Sequence, residues 1–334
     1  MWKQIHGQAE IEIIGEIAEG GMGAVYKARQ KGIEGFEKIV AVKTLLSGLA
    51  GDEKFISMFI SEAKLVANLV HENIVQIYQL GRCEDTYYFV LEYVDGISLY
   101  GLLDFLNHIK QRLPVELSVF IASRIARGLA YAHTRHDSLG NPLNIVHCDI
   151  CPNNILINTE GLPKLTDFGI AKAANLAADR SLSGKIPFMA PEQAWNGELD
   201  HRADIYSLGV VLFNMLAGRS PRNLKSDFDI MLEEARSGHV DWAALPEGLP
   251  SELCSILNKM LAPKAEDRYP ETQALARELE YFIYKDGYGP TIVTLADYLR
   301  KQLPYLFSSE AKIEAEKRSH TTVERTIRIG SKTS

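Results

Sequence analysis

Three side chains that could move a proton or hold a metal ion lie close together in the middle of the chain. The stretch HCDICPNN (147–154) supplies Asp149 and Asn154, and TDFG (166–169) follows a short strand-like run and supplies Asp167. A carboxylate can accept a proton from a hydroxyl group. Carboxylate and amide oxygens also suit Mg²⁺, a hard cation that is often bound together with phosphate groups. The pattern indicates a base beside a metal-bound phosphate, although DFG alone is only a turn signal.

The same stretch contains a C-x-x-C pair, Cys148 and Cys151, which has other interpretations. Such a spacing can mark a thiol redox pair or half of a zinc site. A structural zinc site needs four ligands, and no second C-x-x-C or H-x₃₋₅-H follows at the usual spacing. A disulfide between the two cysteines would distort the loop around Asp149. Two small, buried cysteines remain the simplest interpretation.

A glycine-rich segment near the start of the chain could contact phosphates. In EGGMGAVYKA (19–28), Gly20 and Gly23 would let backbone N–H groups approach a phosphate without obstruction by a Cβ atom. VAVK places Lys43 on the next strand, and Glu62 on a following helix could fix its long side chain. A glycine hairpin and a solvent-exposed lysine are the simpler interpretations of each motif alone. The segment lacks the G-K-[ST] of a Walker P-loop.

The elements that must position these residues change character along the chain. Strand-like runs at 11–30, 37–46, 73–81 and 86–94 surround one helical segment at 52–70. Beyond Ser98 the pattern is mainly helical, at 98–110, 115–135, 202–218, 227–237, 250–261, 271–285 and 291–303. We therefore predict an α+β protein of two unequal lobes, joined near Tyr93–Gly96. The insert 136–144 is predicted to be a surface hairpin.

Composition restricts the class of protein. The 334 residues have a net charge of −7, which argues against general nucleic-acid binding. Four cysteines are too few for a disulfide scaffold and suit a reducing compartment, so we expect a cytoplasmic protein. We expect no secretory signal and no membrane segment, because no run reaches the about 18–20 apolar residues of a spanning helix. The apolar segment 206–218 is predicted to be a buried helix.

The ordered series of motifs resembles a eukaryotic-like (Hanks-type) protein kinase, similar to bacterial Ser/Thr kinases, over residues 11–285. The series comprises GGMG, VAVK, Glu62, H-x-D-x-x-x-x-N, DFG, APE (190–192), D-x-Y-S-x-G (204–209) and Arg268. The resemblance implies a β-rich N-lobe at 1–94 and a larger helical C-lobe at 95–286. A helical extension at 287–307 and a polar tail at 308–334 would follow.

The resemblance also implies roles for individual residues. Asp149 would be the catalytic base, Lys43 would contact the α/β-phosphates of ATP and pair with Glu62, and Asn154 and Asp167 would hold Mg²⁺ or Mn²⁺. The glycines Gly20 and Gly23 would cover the nucleotide, and other positions would surround adenine: Val25, Ala41, Leu156 and the hinge residues Glu92 and Val94, with Leu91 as gatekeeper. Val66, Ile77, His147 and Phe168 would stack on Asp204, and Glu192 would pair with Arg268.

The chain departs from the family pattern at four positions. Ala18 replaces the first glycine of the glycine-rich loop, which is a mild change. Cys148 replaces the arginine that usually pairs with a phosphorylated activation loop, so we predict activity independent of phosphorylation at Ser181 or Ser183. Cys151 replaces the catalytic-loop lysine. Lys185 occupies a position usually held by threonine, and we hypothesise that its ammonium substitutes for the missing charge.

These observations predict an ATP- and Mg²⁺-dependent Ser/Thr kinase that acts on protein hydroxyl groups. A pseudokinase that serves as a nucleotide-binding scaffold is the alternative, supported by the four departures. The loop lacks the tyrosine-kinase sequences H-R-D-L-A-A-R-N and R-A-A-N, which argues against tyrosine specificity. FMAPEQ and D-x-Y-S-x-G match the family's protein-substrate platform. The tail, with Thr321, Thr322 and Thr326, is either a solvated segment or an autophosphorylated site for a phosphothreonine-binding partner.

Overall fold

A computed structural model describes residues 10–20, 23–45, 57, 60, 66–83, 86–168, 186–222 and 227–308. The chain divides into two compact units. The smaller unit takes in the described residues of Met1–Asn68, Gln76–Val94 and Leu303–Ser334, and the larger unit consists of Leu69–Val75 and Asp95–Gln302. Among the described residues, no helix is long and apolar enough to cross a membrane.

The smaller unit is built on an antiparallel sheet with the strand order β1-β2-β3-β5-β4. Its strands are β1 (Glu10–Gly20), β2 (Gly23–Lys31), β3 (Glu37–Leu45), β4 (Ile77–Cys83) and β5 (Thr86–Glu92). Successive side chains of a strand point to opposite faces of the sheet. Val40 and Val42 therefore join the apolar core, and Ala41 and Lys43 lie on the other face. Ser57, Ile60 and Val66 are helical, as predicted for this region.

One predicted strand starts later than expected. The run 73–81 was expected to be extended throughout, but β4 begins only at Ile77. Asn73–Val75 belong to the larger unit, where Ile74 forms a parallel bridge with Leu165 and the amide of Val75 donates to the carbonyl of Leu165 at 2.9 Å. The prediction was wrong here because β-branched residues do not specify which partner strand they pair with.

Helices dominate the larger unit. They are α1 (Leu99–His108), α2 (Val115–His133), α3 (Pro191–Ala194), α4 (His201–Ala217), α5 (Phe228–Ser237), α6 (Ser251–Met260), α7 (Thr272–Tyr284) and α8 (Ile292–Gln302). The apolar segment 206–218 is a buried helix as predicted, and α4 is apolar on every side because α2 and α6 pack against it. Asp200 caps its start and Gly218, at φ +73°, ends it. The α+β prediction is confirmed.

A small sheet in the larger unit positions the chemically important loop residues. It has the order β6-β7-β8, with strands at Gly96–Ser98, Ile155–Asn158 and Pro163–Leu165. The turn between β7 and β8 contains Gly161 at φ +80°, and a Cβ atom there would overlap the backbone of Ile292 and Ala296 in α8. Helix α8 therefore packs directly on the β7–β8 hairpin.

Two smaller predictions can be compared with the structure. The insert 136–144 forms a hairpin-like loop, in which His136 bridges to Pro142 and the amide of Asp137 donates to the carbonyl of Asn141. The apolar side of α8 was expected to comprise Ile292, Leu295, Leu299 and Leu303. The three leucines are fully buried, but Ile292 is 42% exposed, so this part of the prediction was wrong. Ile292 begins the helix, where its side chain extends beyond the packed surface.

Candidate active site

Asp149 and Asn154 form a hydrogen-bonded pair at the end of the loop that precedes β7. The side-chain amide of Asn154 donates to the carboxylate of Asp149 at 3.0 Å and to its carbonyl at 2.8 Å. A one-turn helix at Pro152–Asn154 brings the two residues together, and Pro152 at its first position suits the start of a helical turn. Because the nitrogen of the Asn154 amide donates to Asp149, its oxygen is turned away from that carboxylate.

Asp167 lies next to this pair because of the register of the small sheet. Ile155 pairs with Leu165, so the residues that flank the two strands, Asn154 and Thr166, are also neighbours. The amide of Thr166 donates to the carbonyl of Asn154 at 2.9 Å. Asp167 follows at φ +63°, a left-handed conformation that is uncommon for residues other than glycine. Strained backbone of this kind is often found at functional sites.

His147 supports Asp149 from the buried side. It is fully buried, and its ring centroid lies 4.5 Å from that of Phe168. Its Nε2 donates to the carbonyl of Thr166 at 3.0 Å, and its Nδ1 accepts from the amide of Asp149 at 3.2 Å. Burial holds the pKa of His147 below its ordinary value. These contacts require a neutral ring with its proton on Nε2, so His147 is a structural histidine, as expected, rather than an acid or base.

Asp204 of α4 holds the backbone on the other side of the loop. Its buried carboxylate accepts from the amides of His147 and Cys148, both at 2.8 Å. Nε2 of His133 donates to the same carboxylate at 2.8 Å. Burial alone would raise the pKa of Asp204, but the His133 hydrogen bond, the nearby histidines and the His147 amide together lower it. Asp204 is thus an anionic anchor for the backbone of the loop.

The predicted nucleotide-binding residues of the smaller unit lie on one hairpin and the strand beside it. Gly20 pairs with Gly23 at the tip of β1 and β2, and Val25 pairs with Lys43 across β2 and β3. Lys43 is buried, with 7% of its surface exposed, as is Ala41. The burial of Lys43 argues against the simpler interpretation of this residue as a solvent-exposed lysine.

The remaining predicted site residues are distributed as follows. Leu91 is buried and Glu92 and Val94 are half-buried at the end of the smaller unit, where the amide of Glu92 donates to the carbonyl of Gln76. Leu156 lies on β7 in the larger unit. Two predicted residues, Glu62 and Lys185, lie outside the described residues, as do the positions of the expected phosphorylation sites: Ser181, Ser183, Thr321, Thr322 and Thr326.

Both loop cysteines are buried. Cys148, at φ +62°, belongs to an apolar cluster with Val146, Ile186, Met189, Ala194, Met231, Leu232 and Ala235. In the part of the chain that the structure describes, no three side chains of His, Cys, Asp or Glu are grouped as a metal site. The apolar surroundings of Cys148 support the interpretation of the pair as packed core residues.

The expected ion pair of the larger unit is confirmed. Arg268 donates to both carboxylate oxygens of Glu192, at 2.6 and 2.8 Å, and to the carbonyl oxygens of Ala262, Pro263 and Arg202. Its guanidinium is fully buried. This two-point contact fixes the APE segment to the helical core.

The contacts of three residues were missed by the motif analysis. His133 reaches Asp204 from α2, Gln193 bridges the amide of Ala190 and the carbonyl of Cys148, and Arg222 binds the segment that precedes Ala190. Gln193 ends the quoted motif FMAPEQ, but the motif does not show its partners. For His133 and Arg222 only burial of a polar side chain could have drawn attention, and burial is not visible in an unaligned sequence.

Comparisons with known proteins identify the family. The profile of the protein kinase domain matches residues 11–280. The tyrosine-protein kinase MasK of Myxococcus xanthus is 38% identical over 86% of this chain and 45% of its own length. The serine/threonine-protein kinase PrkC of Bacillus subtilis is 32% identical over 96% of this chain and 48% of its own. The chain thus spans less than half the length of these relatives.

A solved structure shares the fold. The crystal structure of the PknI kinase domain of Mycobacterium tuberculosis superposes with a TM-score of 0.59, covering 84% of this chain and 98% of that one, at 23% identity. The β-rich smaller unit and the helical larger unit match the fold expected from the motifs. The profile match over most of the chain, together with these relatives, shows that the chain belongs to the protein kinase domain family.

Proposed function

We propose that the protein transfers the γ-phosphoryl group of ATP to serine or threonine hydroxyl groups of protein substrates. The observation that carries the proposal is the arrangement of Asp149, Asn154 and Asp167 at one end of the β7–β8 hairpin. Asp149 would accept the proton of the substrate hydroxyl and orient its oxygen for attack. Transfer of this kind depends on positioning and electrostatics, and the His147 and Asp204 contacts support that requirement by fixing the loop backbone.

The donor atoms of the larger unit suit a hard divalent cation. The amide oxygen of Asn154 and the carboxylate of Asp167 are the ligands expected to hold Mg²⁺, or Mn²⁺ in its place. When bound, the cation would neutralise charge on the transferring phosphate groups. Neither residue is fully buried, which leaves room for the substrate phosphates that complete the coordination of such ions.

Lys43 would serve the nucleotide phosphates from the smaller unit. Its burial supports this role, because a buried ammonium group is retained only where anionic or polar partners compensate the loss of water. Glu62 would hold its side chain, and the hairpin of Gly20 and Gly23 would cover the phosphates. Val25, Ala41 and Leu156 would contact the adenine ring, with hydrogen bonds from the backbone of Glu92 and Val94.

The central experiment compares ³²P transfer from ATP by the wild-type chain and by Asp149→Asn. The amide cannot accept the proton, so we expect a fall in kcat by a factor of roughly 10²–10⁴ with little change in nucleotide affinity. A pseudokinase, the alternative proposed from the departures, would bind ATP but show no transfer above the Asp149→Asn background. Equal rates for the two proteins would refute catalysis by Asp149.

Activity is further proposed to be independent of activation-loop phosphorylation. Cys148 has no guanidinium group and is packed among apolar side chains, so it cannot bind a loop phosphate as an arginine would. Phosphatase-treated and untreated protein should therefore have the same rate, and a large loss on treatment would contradict the proposal. The companion hypothesis, that Lys185 supplies the missing positive charge, predicts a fall in kcat for Lys185→Met. Unchanged turnover would refute it.

Tyrosine is a second candidate acceptor. The catalytic loop lacks the tyrosine-kinase sequences, which supports serine or threonine, but the 38% identical relative is named a tyrosine-protein kinase. Phosphoamino-acid analysis of a labelled substrate distinguishes the two. Phosphoserine or phosphothreonine supports the first candidate, and phosphotyrosine alone supports the second. Mass spectrometry of the same samples would test the tail proposal, since an unmodified tail after incubation with ATP would refute autophosphorylation at Thr321, Thr322 or Thr326.

A further inference from the structure

A cleft between α2 and α7 is lined by residues that the proposed reaction does not use. Its volume is about 430 Å³, within the roughly 300–1,000 Å³ that is usual for small-molecule sites. Helix α2 contributes Arg127 and Tyr131 to the lining, and α7 contributes Gln273, Ala276, Arg277 and Glu280. The proposed phosphoryl transfer therefore gives no reason for the polar lining of this cleft.

Two arginines of α2 share the carboxylate of Glu280. Arg127 donates to its Oε1 at 3.2 Å, and a terminal nitrogen of Arg124 lies 3.4 Å from the same oxygen. The side chain of Arg124 is only 14% exposed, and its Nε has no hydrogen-bond partner among the described residues. Of the described residues that line the cleft, Glu280 alone carries a carboxylate. One negative charge therefore faces two positive charges here, before Arg277 is counted.

Arg277 adds a further cation from α7. Its side chain is exposed, and within the described part of the chain its guanidinium makes no hydrogen bond or ion pair. A cleft with an excess of one sign of charge raises the local concentration of counter-ions. The excess of guanidinium groups in this cleft therefore favours an anion, although the whole chain has a net charge of −7.

The side of the cleft next to Tyr131 is also positive. His71 lies beside Tyr131, with the two ring centroids 5.1 Å apart. Burial lowers the pKa of His71, and the nearby Glu72 opposes that shift. The positive charges of Arg127 and Lys164 lower the same pKa further. The histidine is therefore neutral at pH 7, and the arginines supply the charge.

The lining also offers neutral hydrogen-bond donors. The hydroxyl of Tyr131 accepts from the amide of Val70 at 3.2 Å, and no described residue accepts the hydrogen of that hydroxyl. The guanidinium of Arg135 lies 4.9 Å from the centre of the Tyr131 ring. The side-chain amide of Gln273 can donate as well. Donors from both helices thus line the same cleft.

The number of donors distinguishes between two kinds of anion. A carboxylate is satisfied by a single guanidinium group, which binds both of its oxygens. A phosphate group carries up to two negative charges and three strong acceptor oxygens, so it can use Arg127, Arg277 and a neutral donor together.

We propose that the cleft between α2 and α7 is a binding site for a phosphate group, held by Arg127 and Arg277 with Tyr131 and Gln273 as further donors. The group would come from a free phosphorylated small molecule or from a phosphorylated protein side chain, which have this chemistry in common. The site goes beyond the proposed function and does not depend on phosphoryl transfer.

The test is calorimetric titration of the full chain with O-phospho-L-threonine, inorganic phosphate and acetate. Saturation with Mg²⁺ and a non-hydrolysable ATP analogue fills the nucleotide site beforehand. We expect the Kd for O-phospho-L-threonine to rise roughly tenfold or more in Arg277→Gln and in Arg127→Gln, because each variant loses hydrogen bonds between charged groups. Acetate should bind the wild type roughly tenfold or more weakly than phosphate does.

Arg300→Gln is the matched control. Arg300 lies on α8, where its guanidinium is 55% exposed and pairs with Asp297. It is an exposed helical arginine outside the cleft, so its removal should leave the Kd unchanged. Arg277→Gln should unfold at the wild-type temperature, because Arg277 has no partner among the described residues. Arg127→Gln is an independent second variant, in which Arg124 still pairs with Glu280.

A peptide with the sequence of residues 316–330, phosphorylated at Thr322, identifies the source of the phosphate. Binding roughly tenfold or more tighter than that of O-phospho-L-threonine would support the site and assign it to a protein side chain. Equal affinity would support the site and assign it to a small molecule. In both cases the unphosphorylated peptide should not compete.

Three results would overturn the proposal. They are no binding of phosphate or O-phospho-L-threonine by the wild type, an unchanged Kd in both Arg127→Gln and Arg277→Gln, and acetate binding as tight as that of phosphate. An equal loss of affinity in Arg300→Gln would also overturn it, because the effect would then reflect only the net charge. The ³²P-transfer assay is a separate measurement, so failure of the proposed function and failure of this site are distinguishable.

Discussion

Replacing Asp204 by asparagine should destabilise the protein and slow phosphoryl transfer, although the side chain touches no substrate. The carboxylate accepts three hydrogen bonds in a site closed to water: from the amides of His147 and Cys148 and from Nε2 of His133. Asparagine retains one oxygen and presents two donor hydrogens in place of the other. Its best orientation keeps the oxygen towards His147 and His133 and turns the NH₂ group towards the amide of Cys148.

The expected loss of stability follows from the number of hydrogen bonds that the Asp204 carboxylate accepts. One hydrogen bond to a charged group is lost, and the other two weaken because their acceptor is now neutral, so we expect a loss of about 2–4 kcal/mol in the free energy of unfolding. Asp204→Ala would lose all three hydrogen bonds and leave three buried donors unpaired, a cost that approaches the total stability of about 5–15 kcal/mol of a typical domain and should prevent folding. The released amide is that of Cys148, so the catalytic loop should move and kcat should fall.

Urea unfolding with linear extrapolation measures the stability, and ³²P transfer measures kcat on the same preparations. Asp200→Asn is the matched control: it makes the same chemical change at the start of the same helix, where the side chain is 45% exposed and caps the helix. Asparagine caps a helix as well as aspartate does, and the surface ion pair with Arg202 contributes little, so the loss should stay below about 1 kcal/mol. Losses of equal size in the two variants would refute the reasoning.

Three further predictions concern other buried contacts of the larger unit. Burial lowers the pKa of His147 below its ordinary value of 6.5. The stability that the neutral ring contributes is therefore present above pH 6.5 and is lost as the pH falls below that value. Thermal unfolding from pH 8 to 5 should show a smaller pH dependence in His147→Gln than in the wild type. Gly161→Ala should lower the free energy of unfolding by about 2–4 kcal/mol, because alanine is strained at positive φ and its Cβ atom would overlap α8. Gly140→Ala, at φ +85° with open space around the Cβ position, should show only the smaller loss that the strained backbone causes. Thermal unfolding measures both variants. Arg268→Met leaves Glu192 without its partner and should lower the unfolding free energy by about 3–5 kcal/mol in urea titration; a change below 1 kcal/mol would contradict a structural role for the pair.

The sequence offers candidate residues for most of the proposed chemistry, because a reaction of this kind restricts residue type and spacing. The proposed reaction needs a base, two oxygen ligands and a phosphate-binding lysine in a fixed order along the chain, and Asp149, Asn154, Asp167 and Lys43 match that order. Helix bounds were also predicted to within a few residues, since periodicity and caps are local signals, as the start of α4 at His201 after Asp200 illustrates.

Only the tertiary structure decided which residues complete those motifs. His133, Gln193 and Arg222 come from separate parts of the chain and converge on the catalytic loop and the segment before APE. The late start of β4 at Ile77 has the same origin, because residues 73–75 pair with Leu165 far along the chain. A polar side chain chooses its partner through packing, which no local pattern encodes. The sequence by itself therefore determined which residues are candidates for the reaction, and the fold decided which contacts hold the catalytic loop in place.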